Sequence, residues 1–173
     1  MERWYLRNVK VDLDQISDRL GISKLLAKII VNRGIKDLKL MDSFIYPSLD
    51  KLHDPRLMVD IELGVNLVKN SIKGGEKIRI CGDYDQDGNS SILTLYNGIK
   101  RCGGNVDYVI PHRVRDGYGI NERIVKKAKE DGVHLIITCD NGITAFDAVR
   151  LAKSLGIKII VTDHHDVSFI EDE

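Results

Sequence analysis

Three aspartates stand at alternate positions in Cys81-Gly82-Asp83-Tyr84-Asp85-Gln86-Asp87-Gly88-Asn89-Ser90-Ser91-Ile92, and a glycine closes the series. Hard carboxylate oxygens this close together suit a divalent cation. A calcium loop of the EF-hand type opens in the same way, with ligands at positions one, three and five and glycine at six. Counted from Asp83, its position twelve is Thr94 where a bidentate glutamate is needed, and its position eight is Ser90 where an apolar residue belongs. The preceding Lys77-Ile78-Arg79-Ile80-Cys81 alternates charged and apolar side chains, which is a strand pattern where an EF-hand needs a helix. The remaining readings are a catalytic metal loop and a polar turn.

Other segments supply matching chemistry. Apolar runs end in His112, Arg113 and Arg115, in Asp140 and Asn141, and in Asp163, His164 and His165. Several carboxylates with one or two imidazoles suit manganese, magnesium or zinc in an oxygen-rich site. A carboxylate shared between two ions suits a two-metal hydrolase, and phosphate-ester hydrolysis is the natural reaction class. The helix expected after Gly88 also favours an anion at its N-terminus. His53 and His134 fall outside this set and read as surface or packing residues. Cys81, Cys102 and Cys139 are odd in number and form no C-x-x-C pair, so they read as small buried hydrophobes, not as a disulfide or zinc framework.

The elements that must position these residues fall into two regimes. Up to about Leu57 the periodicity is helical: Leu13 to Leu20, Lys24 to Asn32 and Lys36 to Phe44, then an irregular connector around Pro47 and Pro55. Trp4 and Tyr5 read as anchors of a small core there. From Asp60 an apolar helical stripe (Ile61, Val65, Leu67, Val68, Ile72) leads into strands and helices in alternation. The strands are Ile78 to Cys81, Val106 to Ile110, Leu135 to Cys139 and Lys158 to Thr162; the helices are Ser90 to Arg101, Asn121 to Asp131 and Ala145 to Leu155. Glycines at 103, 132 and 156 stop the helices. Lys126, Lys127 and Lys129 read as the solvated side of a helix whose apolar face is Ile124, Val125 and Ala128. The expected fold is α/β, a parallel sheet flanked by helices and preceded by a small helical leader, with a boundary between residues 58 and 59. In such sheets ligands bind beyond the carboxyl ends of the strands, where the acidic residues stand.

Composition adds bounds. With 173 residues, 43% hydrophobic and 30% charged, the chain can bury a core, and no apolar run approaches a membrane span or a secretory signal. A cytoplasmic monomer is expected. Lysine plus arginine equals aspartate plus glutamate at 26 each, so net charge argues neither for nor against a nucleic-acid partner.

GDYDQDG, ITCDNGI and VTDHH resemble the first three motifs of the DHH phosphoesterase superfamily, in order and spacing. RGIKDLKLMDSFIYPSLDKLHDP resembles the leader of the RecJ single-stranded-DNA exonucleases, and IPHRVRDGYGIN the segment between their first two motifs, so the likeness spans roughly Leu25 to Val167. The resemblance implies that Asp85 and Asp87 bind separate metal ions, Asp140 bridges them, His164 binds one, and His165 contacts metal or the scissile phosphate. Manganese, or magnesium, is the implied cofactor, two ions per site. Asp83 and Asp163 are expected to support the ligands from behind as much as to bind. His112, Arg113 and His165 are candidate contacts to DNA phosphate, and Tyr118 either stacks on a base or packs in its turn. The implied reaction is release of 5′-mononucleotides from the 5′ end of single-stranded DNA in repair and recombination, with a single-strand-binding protein or a repair helicase as partners of the full-length enzymes.

The resemblance also has departures. RecJ enzymes carry a fourth-motif aspartate and a DHHA1 domain, whereas this sequence ends at Phe169-Ile170-Glu171-Asp172-Glu173, so it is expected to be an incomplete front part with an under-coordinated ion and exposed apolar surface. Gln86 and Asn89-Ser90-Ser91 also differ from the usual pattern but keep the helix start capped, by Asn89 or Ser90. Two alternatives stay open: hydrolysis of oligoribonucleotides, cyclic dinucleotides or pyrophosphate, against which the leader argues, and a binding or remnant protein without turnover.

Overall fold

The computed structural model describes residues 10–167; Trp4 and Tyr5 lie outside them. The chain divides into two compact units, residues 1–57 and 58–173. The first holds helices α1 (Leu13–Leu20), α2 (Lys24–Asn32) and α3 (Leu38–Ile45), followed by 3-10 turns at Leu49–Lys51 and Pro55–Leu57. Each helix begins on a polar cap: Asp12 accepts from Gln15 N–H, Ser23 from Leu26 N–H, and Asp37 from Lys39 and Leu40 N–H. These bonds satisfy donors that an uncapped first turn leaves unpaired. Asp37 moves the start of α3 from the expected Lys36 to Leu38. Ile16, Ala27, Ile30, Val31 and Met41 form this unit's own core.

The second unit runs α4 (Ile61–Lys73), β1 (Lys77–Gly82), α5 (Gln86–Arg101), β2 (Asn105–Val109), α6 (Glu122–Glu130), β3 (Val133–Cys139), α7 (Phe146–Ser154) and β4 (Lys158–Thr162). All four strands are parallel, in the order β2-β1-β3-β4. Side chains alternate across the sheet. Ile78, Ile80, Leu135, Ile137 and Cys139 pack on one face with Ile92 and Ile99 of α5 and with Val68 and Ile72 of α4. Cys81 and Ile136 pack on the other with α6 and α7, through Val125, Ala128, Ala148 and Ala152. Gly103, Gly132 and Gly156 follow their helices at φ 81, 71 and 73, the left-handed region that a side chain resists.

Two expectations are corrected. Cys102 is exposed, because it caps the C-terminus of α5 instead of facing the sheet; Cys81 and Cys139 are buried. Helix α5 begins at Gln86, not Ser90, for a reason that belongs to the site. Among the described residues no helix is long and apolar enough to cross a membrane.

Candidate metal centre

Strand order puts the topological switch between β1 and β3, since the chain moves outward to β2 and then returns to the other side of β1. A crevice opens at such a point, beyond the carboxyl ends of the strands. Register then sets the level of the side chains. Gly82 pairs with Cys139, and Cys139 pairs with Thr162, so the next residue of each strand, Asp83, Asp140 and Asp163, emerges at the same height.

After β1 the chain turns directly into α5. Asp85 is extended (φ −88, ψ −170), and its side chain accepts from Gly88 N–H at 3.1 Å, making it the helix cap. Asp87 therefore lies in the first turn of the helix. The capping expected of Asn89 or Ser90 does not occur: Asn89 sends its amide back to the carbonyls of Tyr84 and Asp85, at 3.1 and 2.7 Å. Gly88 is required here, because a Cβ would stand 2.4 Å from the carbonyl oxygen of Asp83.

Asp140 caps the end of β3 with φ 63, and its Oδ1 lies 2.8 Å from His164 Nε2. Asp163 is a hub: Oδ2 accepts from Ile143 N–H at 3.0 Å, while Oδ1 accepts from His164 N–H at 2.8 Å and sits 2.7 Å from His165 Nδ1. The result is two donor groups with ligand atoms within 4.8 Å of one another, Asp83 with Asp85 and Asp140, and Asp140 with His164 and His165. Asp140 belongs to both. Asp87 belongs to neither, and lines an adjoining cleft of about 650 Å³ with Asp140, Asp163, His164 and the hydroxyl side of α5.

Electrostatics follow from this crowding. Burial pushes the Asp140 carboxyl up, and the neighbouring Asp85 carboxylate adds to the shift against the pull of His164. Asp85 is held below its ordinary value, chiefly by Gly88 N–H. Burial would raise Asp163 too, but its hydrogen bonds from Ile143, His165 and His164 outweigh burial and bring it down. His165 is raised by Asp163. Asp83 is buried, and its Oδ1 has no hydrogen-bond partner. An orphaned buried carboxylate oxygen beside two further carboxylates is costly for protein alone and fits a divalent cation.

Around this edge, the exposed His112 bonds its own loop: Nδ1 accepts from Val114 and Arg115 N–H at 3.3 Å each. Arg115 and Arg123 pair with Asp116. Arg113 lies over the Tyr84 ring, 5.1 Å from its centroid, which places a cation above the acidic loop. His134 stands at the start of β3 beside Lys77 N–H, far along the strand from the acidic edge, and His53 is exposed in the first unit. Two residues carry more than their sequence signal indicated. The Tyr118 hydroxyl donates to Asp140 O at 2.9 Å and lies 3.2 Å from His165 Nδ1; burial and the surrounding carboxylates push it up to about 12, so it remains a donor. The Asn141 side chain is fully buried among the strand ends. Tyr118 reaches Asp140 through tertiary folding, hinted at only by the flanking glycines of Gly117-Tyr118-Gly119, whereas Asn141 is the next residue in the chain and what folding adds is its bonding to Ile120 and Cys81.

Comparison with known proteins bears on the fold that carries this edge. The single-stranded-DNA-specific exonuclease RecJ of Bacillus subtilis is 34% identical over 165 residues, 95% of this chain and 21% of that protein. A crystal structure of exonuclease RecJ bound to manganese superposes with TM-score 0.58 at 34% identity, over 62% of this chain and 28% of that one. RecJ from Thermus thermophilus in complex with Mn2+ superposes with TM-score 0.62 at 25% identity, over 90% and 21%. The chain thus spans about a fifth to a quarter of the RecJ proteins it matches along most of its own length. The N-terminal domain of the DHH family matches residues 77–173, which include every carboxylate and imidazole of the acidic edge, and on that match the chain belongs to the DHH family.

Proposed function

We propose that this chain carries the metal-binding edge of a RecJ-like exonuclease, hydrolysing phosphodiester bonds of single-stranded DNA from a 5′ end with manganese as the activating ion. The observation that carries the reading is the position of Asp140, whose carboxylate belongs at once to a carboxylate group with Asp83 and Asp85 and to a group with His164 and His165. That placement suits a ligand shared by two ions. Divalent cations held there would supply charge for a phosphoryl group and acidify a water.

Around them the protein's own groups have definable work. Asp83, Asp85 and Asp140 supply oxygens, His164 supplies a nitrogen, and Asp87 stands in the cleft wall for a second ion or for its water. Asp163 orients both neighbouring backbone amides and the His165 ring, as residues behind a metal ligand commonly do. His165, oriented and raised by Asp163, stands at the same edge as a contact for metal or for a phosphate oxygen, and Arg113 above Tyr84 offers a cation along the strand.

The test is manganese titration calorimetry on this chain and on Asp140→Ala, with digestion of 5′-labelled single-stranded oligonucleotide on the same samples. Binding that is lost in the variant supports the shared-ligand reading, and release of labelled mononucleotide supports the polarity. Absence of manganese binding by the unmutated chain sinks the metal assignment. Preferential cleavage of oligoribonucleotides or cyclic dinucleotides would move the substrate within the same family.

A further inference from the structure

The carboxamide of Asn141 is fully buried, and its bonds all go to the chain segments that build the acidic edge. Nδ2 donates to Cys81 O at 3.0 Å and to Cys139 O at 2.9 Å, at the carboxyl ends of strands β1 and β3. Oδ1 accepts from Ile120 N–H at 3.0 Å, at the end of the loop that carries Arg113. Three segments distant in sequence meet on one side chain. Its packing is close: a Cβ on Gly119, where φ is +67, would lie 3.0 Å from Asn141 Cβ.

The residue immediately before it is Asp140, held at φ 63, a conformation that any residue with a Cβ resists. Strain of this kind persists only where the surroundings over-determine it. Here Asp140 N–H donates to Thr162 O at 3.1 Å, Asp140 O accepts from the Tyr118 hydroxyl at 2.9 Å, and the following side chain is locked between two strands. A carboxylate at 141 would set an oxygen against two carbonyl oxygens, and an apolar residue would strand three polar groups, so the amide is the one side chain of this size that satisfies all three.

We propose that Asn141 is a positioning residue for the metal edge: its amide holds Asp140 left-handed, so that the carboxylate faces both donor groups, and ties the 112–120 loop to the same point. The link to metal affinity rests on the metal reading above; the link to the Asp140 backbone does not.

The experiment reads both. In metal-free, isotope-labelled protein, NMR gives the HN–Hα coupling and carbon shifts of Asp140 and the amide exchange of Ile120; calorimetry gives manganese affinity. In Asn141→Ala, the Asp140 signals should leave left-handed values, Ile120 exchange should accelerate at least tenfold while Ile80 and Ile136 stay protected, and manganese affinity should fall at least tenfold. Gly119→Ala, which presses on the amide without removing its bonding groups, should shift all three in the same direction, and it carries the test if Asn141→Ala does not fold. Unchanged Asp140 signals in the folded variant overturn the proposal, as do altered signals with unchanged manganese affinity. If the unmutated chain binds no manganese, the metal reading fails and the clamp stands or falls on the Asp140 signals alone.

Discussion

Asp140 combines a raised carboxyl, a left-handed backbone and membership of both donor groups. Its protonation has a definite consequence. A carboxyl raised above its ordinary value keeps its proton to higher pH, and a cation must displace that proton to bind. Manganese affinity should therefore begin to weaken at a pH above the ordinary aspartate range as the solution is acidified, with proton release on binding; calorimetry in buffers of different ionisation enthalpy measures both. Asp163 acts at one remove. Asp163→Asn removes the charge that raises His165, so the imidazole should titrate at lower pH, and activity or metal affinity should fall roughly 10–100-fold, the usual cost of losing a residue behind a metal ligand. Histidine NMR titration and calorimetry check the two halves separately; an unmoved His165 would remove Asp163 from the orienting role.

At the scale of elements, the site depends on how α5 meets β1. Gly88→Ala would drive a Cβ into the Asp83 backbone, which cannot yield as a flexible side chain can. A loss of about 3 kcal/mol or more is expected, the upper range for overpacking, measured by urea unfolding, together with weakened manganese binding because Asp83 and Asp85 are displaced. At the opposite end of β1, Arg79 is buried and bonds Asp107 of β2 through two nitrogens, at 2.8 and 2.7 Å, and Asp131 at the end of α6 at 2.9 Å. Burial alone would raise Asp107, but Arg79 and Lys77 outweigh it and hold the folded carboxyl below its ordinary 3.8; Lys127 and Arg79 do the same for Asp131. The sign follows: these groups stabilise the fold above the unfolded value, and the contribution disappears as pH falls through the lowered folded values. Asp107→Asn should cost roughly 2–3 kcal/mol, less than a fully stranded buried charge because Asp131 remains. Its stability should also depend less on pH below about 4, as circular-dichroism melts across that range would show.

At the scale of the molecule, the two units have separate cores, and every residue of the acidic edge lies in the second. Met41 is fully buried in the first. Met41→Ala should destabilise that unit by about 2–5 kcal/mol, the usual range for emptying such a site, and leave manganese affinity unchanged. Denaturant unfolding followed beside calorimetry tests this, and a parallel loss of metal affinity would show that the leader supports the edge.

What the sequence by itself determined is what short-range chemistry dictates. Apolar runs with glycine stops predicted all four strands and the helices between them, because strand burial and left-handed helix ends leave local signatures. The acidic residues could be gathered in advance, since each stands directly after a strand and parallel sheets deliver such residues to one edge. The start of α5 is not legible in this way because the cap is one of the acidic residues themselves, and Asp85 gives the same local signal as ligand and as cap. Tertiary structure alone decided that Asp83, with an unpartnered oxygen, groups with Asp85 and the shared carboxylate of Asp140 while Asp87 lines the adjoining cleft. It also decided that Arg113 overlies the acidic loop, that the Tyr118 hydroxyl closes on Asp140, and that the Asn141 amide binds Ile120 and Cys81. These outcomes depend on strand register and on loops that meet across 21 to 60 residues of chain, distances over which spacing in the sequence carries no geometric information.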